Sequence, residues 1–350
     1  MPLRLRLAVA PILACAAFTA VGCATASVDP PPKALALKAA LALKTSAPKA
    51  LAQPVVGDRP ASGDVASQPA PDVVSVPDVT PPPAVGCPAD SGWSCVQQQR
   101  FAAASAYINR NVSGNGYLSV VFTDRHTGHA WRFGPTQHEG WTASTIKLAI
   151  ATDLLRRQRG GQLMLSAADR HDMATMLNFS DNAASDRLWA RFGGEDMLAR
   201  FRNQYGMTGL HFVPGFTAKT YWGFVKCTTD DLAALANFVF AQVNPADRAY
   251  LVGALRGVAP NQQWGVWAAG PTQQPGNKDG WSYETDPYGK HWVTDTVGFA
   301  GPDERYLVAV MYQVAPSGTL PGGVHAVSDV VALLFGVPIP AHVTVPAPDG

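Results

Sequence analysis

The sequence places a serine and a lysine at a spacing that can support nucleophilic chemistry. These residues are Ser144 and Lys147, and positions three apart lie on one face of a helix, so their hydroxyl and amine can meet. A serine hydroxyl becomes an effective nucleophile when a neighbouring base takes its proton, and a buried lysine with a lowered pKa can be that base. The helix N-terminus expected at Ser144 also favours developing negative charge. The alternative for this motif alone is an N-capping serine and a surface lysine.

Two further motifs carry polar side chains of the types that bind a substrate or move its protons. One is Ser180-Asp181-Asn182, and the other is the stretch 278–281, which reads Lys-Asp-Gly-Trp. Each is common in isolation. Taken alone, the first would be a helix cap, with Asn182 at the N-cap of the following helix. Only the combination of the three motifs, in this order along the chain, indicates a site.

The elements that must position these motifs follow from hydrophobic periodicity and from turn and cap residues. Predicted helices cover residues 96–111, 144–158, 167–177, 183–192, 195–205, 230–242, 247–256 and 325–335. Predicted strands cover residues 117–124, 129–133, 290–299 and 305–313. This order indicates an α/β chain of the α+β type, in which one antiparallel sheet is assembled from both ends and a helical subdomain is inserted.

The order and spacing of the three motifs resemble those of class A β-lactamases and penicillin-binding enzymes, over roughly residues 96–340. The triplet Lys278-Asp279-Gly280 stands where these enzymes carry a Lys-Thr-Gly-like triplet on a returning strand. The resemblance implies a β-lactamase-like fold, with an antiparallel sheet flanked by helices and an inserted all-helical subdomain.

The resemblance also implies a role for each matching position. Ser144 would be the nucleophile that forms an acyl-enzyme, and Lys147 would accept or relay its proton. Ser180 would pass a proton to the leaving nitrogen, and Asn182 would hydrogen-bond the amide of the substrate. The substrate-binding positions of the third motif would be Lys278, Asp279, Gly280 and Trp281.

Three of these positions carry the electrostatic part of the expected mechanism. Lys278 would supply positive potential across the cleft. The backbone N–H groups of Ser144 and Trp281 would form an oxyanion hole, which stabilises the charge of a tetrahedral intermediate.

One departure from the family concerns release of the acyl group. Class A β-lactamases hydrolyse the acyl-enzyme with a glutamate on a loop between the helix of the second motif and a later helix that begins at a Thr-Thr pair. The corresponding stretch, residues 197–229, contains no Asp or Glu, and His211 is its only side chain with an unperturbed pKa near neutrality. A lone histidine is more often structural, so we expect slow deacylation.

The other departure is Asp279. Family members hold a hydroxyl or small polar residue there, which binds a substrate carboxylate. An aspartate would repel that carboxylate unless it pairs with a base such as Lys290. Trp281 is expected to narrow the cleft beside it. The nine tryptophans of the chain favour core and cleft packing over an aromatic-lined groove for glycan or peptide.

The N-terminal part of the chain has the composition of an export signal and a tether. Arg4 and Arg6 precede a short apolar run, which predicts a signal peptide over residues 1–22. The run ends in Ala-Val-Gly-Cys, which resembles a bacterial lipoprotein box and implies lipidation of Cys23. Plain secretion, with cleavage near residues 24–26, is the alternative. Residues 23–86 are rich in proline and lack aromatic residues, which predicts a disordered tether before a folded domain at 87–350.

The remaining cysteines fit an oxidising compartment. Cys87 and Cys95 enclose a short loop and are a possible disulfide, although pairing of Cys227 with either partner stays open. His138 and Glu139 lack the second histidine of a zinc helix, and no CxxC motif occurs, so we expect no metal and no cofactor.

The net charge of +1 gives the chain no field to attract nucleic acid. We therefore expect an exported, lipid-anchored serine hydrolase or acyltransferase on the outer face of the cell membrane. Its partners would be a small-molecule or peptide substrate of the cell envelope, such as a peptidoglycan peptide, and the membrane itself. Two alternatives remain: a true β-lactamase with an unusual deacylation route, and a non-catalytic lipoprotein that binds envelope components through the same cleft.

Overall fold

A computed structural model describes residues 86–112, 116–217 and 221–348 of the chain. The predicted signal peptide, Cys23 and nearly all of the predicted tether lie outside the described residues. Within the described part, no helix combines the length and apolarity needed to cross a membrane.

The predicted helices and strands occur in the expected order, and the structure adds strands at Gly140–Trp141, His211–Phe212, Val225–Cys227 and Gly276–Asp286, of which the resemblance implied only the last. The helices are α1 (Cys95–Asn111), α2 (Ile146–Arg159), α3 (Ala167–Asn178), α4 (Asn182–Phe192), α5 (Glu195–Gln204), α6 (Thr229–Gln242), α7 (Pro245–Arg256) and α8 (Leu320–Phe335). The strands are β1 (Tyr117–Asp124), β2 (Ala130–Phe133), β3 (Gly140–Trp141), β4 (His211–Phe212), β5 (Val225–Cys227), β6 (Gly276–Asp286), β7 (Gly289–Ala300) and β8 (Tyr306–Gln313).

The main sheet is antiparallel and draws its strands from both ends of the domain. Its order is β2-β1-β8-β7-β6, which leaves β6 at one edge. Helices α2 to α7 lie between the two sets of strands in sequence, and a small sheet of order β3-β5-β4 accompanies them. The predicted α+β architecture with an inserted helical subdomain is confirmed.

Both faces of the main sheet are covered. Val120 belongs to a core cluster with α1 and α8, whereas its neighbour Val121 packs with the helical subdomain. Successive strand residues point to opposite faces of a sheet. A strand covered on both sides therefore has a continuous run of apolar residues, as β1 does. Helix α2 is buried along its first ten residues, and this burial brings its N-terminal end to the junction of sheet and helices.

Two local predictions have definite outcomes. The structure joins Cys87 to Cys95 by a disulfide with a Cα–Cα distance of 5.3 Å and leaves Cys227 buried and free. The predicted N-cap of α4 is wrong by one residue. Asp181 caps this helix, because its Oδ1 accepts a hydrogen bond from the backbone N–H of Ala184 at 2.7 Å. Aspartate and asparagine cap equally well, so the sequence did not distinguish these neighbours.

Candidate active site

Ser144 lies in a 3₁₀ turn, Ala143–Thr145, that runs directly into α2. The Thr145 hydroxyl closes this turn by donating to the carbonyl oxygen of Thr142 at 2.6 Å. Ser144 itself is half-buried, and within the described part of the chain its hydroxyl makes no hydrogen bond. The hydrogen bond expected between the Ser144 hydroxyl and the Lys147 amine is therefore not formed.

Two residues beside the nucleophile position adopt left-handed backbone conformations. Ala143 has φ of 42° and Ser180 has φ of 58°. For a residue with a side chain, this region costs about 1–2 kcal/mol. Such strain persists only where the surrounding structure holds it, and it clusters at functional sites. These two residues flank the place where the first and second motifs meet.

Strand β6 presses its backbone against the start of α2. A Cβ atom at Gly280 would lie 2.7 Å from the backbone nitrogen of Ser144 and 2.9 Å from that of Thr145. Real Cβ atoms essentially never approach a backbone atom this closely, so only glycine fits. The motif of β6 and the nucleophile motif are thus in direct contact, as an oxyanion hole between Ser144 and Trp281 requires.

The amine of Lys147 lies at the centre of the site. It donates to the carbonyl oxygen of Ser180 at 2.6 Å and to Oδ1 of Asn182 at 2.8 Å, and it lies 3.3 Å from the Ser180 hydroxyl. The indole ring of Trp222 covers it, with 4.7 Å between Nζ and the ring centroid. The lysine side chain is fully buried. Two of the three predicted catalytic residues, Lys147 and Ser180, are therefore in contact.

Burial lowers the pKa of Lys147 well below its usual value, and the positive charge of Lys278 lowers that pKa further. The charges of Asp181 and Asp186 act in the opposite direction. A neutral amine has two N–H donors and one lone pair. The Ser180 carbonyl and the Asn182 amide take the two donors, so the lone pair is left to accept a proton from a hydroxyl.

Lys278 reaches the same serine from the sheet. Its Nζ donates to the Ser180 hydroxyl and to the carbonyl oxygen of Asp279, both at 2.9 Å. Burial is the main cause that lowers the pKa of Lys278, and the charge of Asp279 opposes it. The Ser180 hydroxyl thus lies between two lysine nitrogens, an arrangement in which it can accept from one and donate to the other.

The structure contradicts the expectation that the Asp279 carboxyl faces the cleft. Side chains alternate along a strand, so Lys278 and Gly280 point towards α2 and Asp279 points to the other face of the sheet. There Asp279 is fully buried, and its Oδ1 accepts from the Thr296 hydroxyl at 2.6 Å. Burial raises its pKa. Lys290 is exposed, and it lies six positions before Thr296 on β7, so it does not pair with Asp279.

The same alternation turns the Trp281 side chain away from the cleft, contrary to the prediction that it narrows the site. Its Nε1 donates to the carbonyl oxygen of Ala347 at 3.0 Å, and its ring meets Trp264 edge-on at 6.3 Å. The indole belongs to the core on the α8 side. Only the backbone of Trp281 stays available to the site.

Trp222 and Asp186 are the site residues that the motifs did not reveal. Trp222 lies in the turn before β5, within the stretch that lacks acidic residues, and its Nε1 donates to Oδ1 of Asp186 at 2.7 Å. Asp186 follows Asn182 by four positions on α4, which is one helical turn. That spacing could have predicted that Asp186 lies on the same face of α4 as Asn182. Nothing local in the sequence indicates that Trp222 covers Lys147.

His211 is tied to the small sheet. Its Nδ1 lies 2.9 Å from the carbonyl oxygen of Gly209, and its Nε2 lies 3.7 Å from Oε2 of Glu139. Among the described residues, no group of three or more His, Cys, Asp or Glu side chains is placed to hold a metal ion.

Asp295 is a buried carboxyl on the same sheet face as the site. It pairs directly with Gly280 across β6 and β7, and directly opposed residues share a face. Its Oδ1 accepts from the backbone N–H of Tyr312 at 3.1 Å, while its Oδ2 has no hydrogen-bond partner. Burial raises its pKa well above the ordinary carboxyl value. The folded protein therefore holds the Asp295 proton at pH values where the unfolded chain has lost it.

We expect Asp295→Asn to make stability less dependent on pH. Because the pKa is raised by folding, the unfolded state binds fewer protons above the ordinary carboxyl pKa, so wild-type stability falls as pH rises. The fall is at most about 1.4 kcal/mol per pH unit, until the folded-state pKa is reached. The measurement is urea unfolding at pH 5 and pH 8. Asp90→Asn, at an exposed carboxyl, is the control. An equal pH dependence in wild type and Asp295→Asn would contradict the prediction.

Comparison with known proteins gives no match to any protein-family model. Among curated proteins, the chain is similar to "Putative lipoprotein LppW" of Mycobacterium tuberculosis and Mycobacterium bovis. The identity is 29% over 201 residues, which is 55% of this chain and 62% of each relative. The similarity thus spans less than two thirds of the length of these relatives.

Solved structures decide the fold. A β-lactamase from Xanthomonas campestris superposes with a TM-score of 0.54 at 19% identity, covering 69% of this chain and 98% of that one. A β-lactamase from Burkholderia vietnamiensis gives 0.54 at 20% identity over 68% and 95%. An ancestral class A β-lactamase gives 0.52 at 18% identity over 69% and 99%. The fold is β-lactamase-like.

The β-lactamase-like fold accounts for the meeting of the three motifs. It brings the start of α2, the turn before α4 and the edge strand β6 to one place, although they are far apart in sequence. At 18–20% identity the likeness concerns the fold and not the activity.

Proposed function

We propose that this protein is an exported, lipid-anchored serine acyl-enzyme that acts on an amide or ester of the cell envelope and releases its acyl group slowly. The observation that supports it most directly is the Ser180 hydroxyl shared by the buried amines of Lys147 and Lys278. Two buried lysines around one serine are costly for a purely structural role, because burial opposes their charged forms. Acyl transfer gives this arrangement a use.

In the proposed acylation, neutral Lys147 takes the proton of Ser144 as the Ser144 oxygen attacks the carbonyl carbon. This requires the two groups to move together, since the resting hydroxyl makes no hydrogen bond to the amine. The negative oxygen of the intermediate is stabilised by the N–H groups of Ser144 and Trp281. The C–N or C–O bond then breaks, and the leaving atom receives a proton through Ser180. Lys147 re-protonates Ser180, so the protons balance.

Slow deacylation follows from the surroundings of Lys147. The stretch 197–229 supplies no carboxylate, and it places the Trp222 ring on the amine. Water that attacks the ester needs a base beside it. The acyl-enzyme is therefore expected to persist.

The proposed location rests on the N-terminal sequence and on the name of the curated relatives. These relatives carry the name "Putative lipoprotein LppW", and this chain has the lipoprotein-box-like stretch ending at Cys23 after its apolar run. A tether over residues 23–86 would let the domain at 87–350 reach substrate away from the membrane. Asp279 does not stand in the way of a substrate carboxylate, because its own carboxyl is buried on the other face of the sheet. Carboxylate-bearing stem peptides of peptidoglycan are thus included in the proposed substrate class.

Labelling with a fluorescent penicillin tests the proposal. We expect covalent labelling of the wild type that persists for many minutes, and none of Ser144→Ala. Peptide mass spectrometry would place the adduct on Ser144. Absence of labelling by both this probe and a fluorophosphonate would contradict the acyl-enzyme and favour a non-catalytic binding protein.

One observation favours an alternative function. The unbonded Ser144 hydroxyl favours the non-catalytic envelope-binding lipoprotein, since an activated nucleophile is normally held by its base. Conversely, a chromogenic cephalosporin hydrolysed at many turnovers per second would identify a true β-lactamase with another deacylation route. The same assay would then overturn the proposed slow release.

A further inference from the structure

Trp222 covers one side of the Lys147 amine. Two sides of the amine are taken by the Ser180 carbonyl and the Asn182 amide, at 2.6 and 2.8 Å. The indole covers another side at 4.7 Å, and Trp222 is 3% exposed. An indole fills the volume of several water molecules. Water therefore has no room to stand at the amine on this side.

Asp186 fixes the position of this indole. Its Oδ1 accepts the Trp222 N–H at 2.7 Å, and an N–H that donates to a carboxylate makes a charge-assisted hydrogen bond. The ring is thus held between α4 and the turn before β5. Asp186 itself is exposed at the surface, whereas the indole that donates to it is nearly buried.

We propose that Trp222, anchored by Asp186, is a positioning residue that keeps water away from Lys147 and so prolongs the acyl-enzyme. This inference rests on the proposed function and assigns the control of deacylation to one side chain. When the ring is removed, a water molecule can donate its proton to the Lys147 lone pair and attack the ester carbon with its oxygen. The bond to the Ser144 oxygen then breaks, and that oxygen takes the proton back from Lys147.

The first experiment measures the half-life of the fluorescent-penicillin adduct in the full-length protein. We expect Trp222→Ala and Asp186→Ala to shorten it at least tenfold. Asp186→Asn keeps an oxygen that accepts the indole N–H, so its half-life is expected within twofold of wild type. Phe224→Ala, which perturbs the same turn, and Arg187→Ala, on the same helix, are controls expected to leave the half-life unchanged.

The second experiment does not depend on acylation. In a Ser144→Ala background, reductive methylation of Lys147 by formaldehyde, with cyanoborohydride as the hydride donor, is followed by peptide mass spectrometry. We expect at least tenfold faster methylation when Trp222→Ala or Asp186→Ala is added, and no change with Asp186→Asn or Phe224→Ala. If the wild type never labels, the proposed function fails while this measurement still decides the role of Trp222. Methylation and adduct half-life that stay at wild-type values in Trp222→Ala would overturn the inference.

Equal effects of Asp186→Asn and Asp186→Ala would also overturn the anchoring role of Asp186. That result would mean that its charge near Lys147, and not its hydrogen bond to the indole, determines the lifetime.

Discussion

Replacing Lys147 by methionine is expected to slow acylation of Ser144 by about 10²–10⁴-fold, the range typical for loss of a positioned general base. Methionine has a similar length and no proton-accepting group, so the change removes the base with little change in volume. The expected effect concerns the second-order rate of labelling, measured with excess fluorescent penicillin. Loss of the hydrogen bonds to Ser180 and Asn182 will also cost stability, so folding is checked by thermal unfolding.

The pH profile of wild-type labelling gives an independent check on the same base. Because the pKa of Lys147 is lowered well below its usual value, the neutral amine forms at lower pH than in an ordinary lysine, and labelling should rise as pH increases through that lowered pKa. Lys278 has to keep its proton to hold positive potential at Ser180, and its pKa is also lowered by burial. The rate should therefore fall again at higher pH. A flat profile together with normal labelling of Lys147→Met would contradict the assignment of Lys147 as the base.

Most of the fold was predictable because its signals are local. Helix α6 begins at Thr229, one residue before its predicted start at 230, because Thr228 and Asp231 form a capping box within four residues. Strand β1 has the predicted bounds because its apolar run is buried on both faces. The start of α8 was predicted five residues late, since its first turn contains Pro321 and two glycines, which are poor helix formers in general. Pro321 is nevertheless favourable in the first turn.

The sequence predicted which residues come together in the candidate site better than it predicted the directions of their side chains. The order of the motifs predicted that Lys147, Ser180 and Lys278 lie together, and their hydrogen bonds show that they do. The orientation of Asp279 could have been derived, because a strand that points Lys278 at the site must point the next residue away. Trp222 could not, because its contact with Lys147 depends on the path of a long connection that carries no periodic pattern.

Gly280→Ala is expected to reduce the labelling rate by about 10²–10³-fold, the usual cost of losing one oxyanion-hole donor. The added methyl group would lie 2.7 and 2.9 Å from the backbone nitrogens of Ser144 and Thr145 and 3.0 Å from the Cβ of Ala143. Backbone atoms cannot rotate aside as the end of a long side chain can. The contact can be relieved only by moving β6 away from the start of α2, which separates the N–H of Ser144 from that of Trp281.

Gly253→Ala is the matched control for this substitution. Gly253 lies on α7, and a Cβ atom there would meet no atom within 4 Å. Alanine in a helix interior is favoured over glycine by about 0.5–1 kcal/mol, so this variant should be slightly more stable and should label at the wild-type rate. Thermal unfolding of both variants separates a lost fold from a lost donor. Because the sheet core lies on strands β1, β7 and β8 as well, Gly280→Ala should still unfold cooperatively. A folded Gly280→Ala protein that labels within threefold of wild type would show that the close approach of Gly280 to Ser144 has no catalytic role.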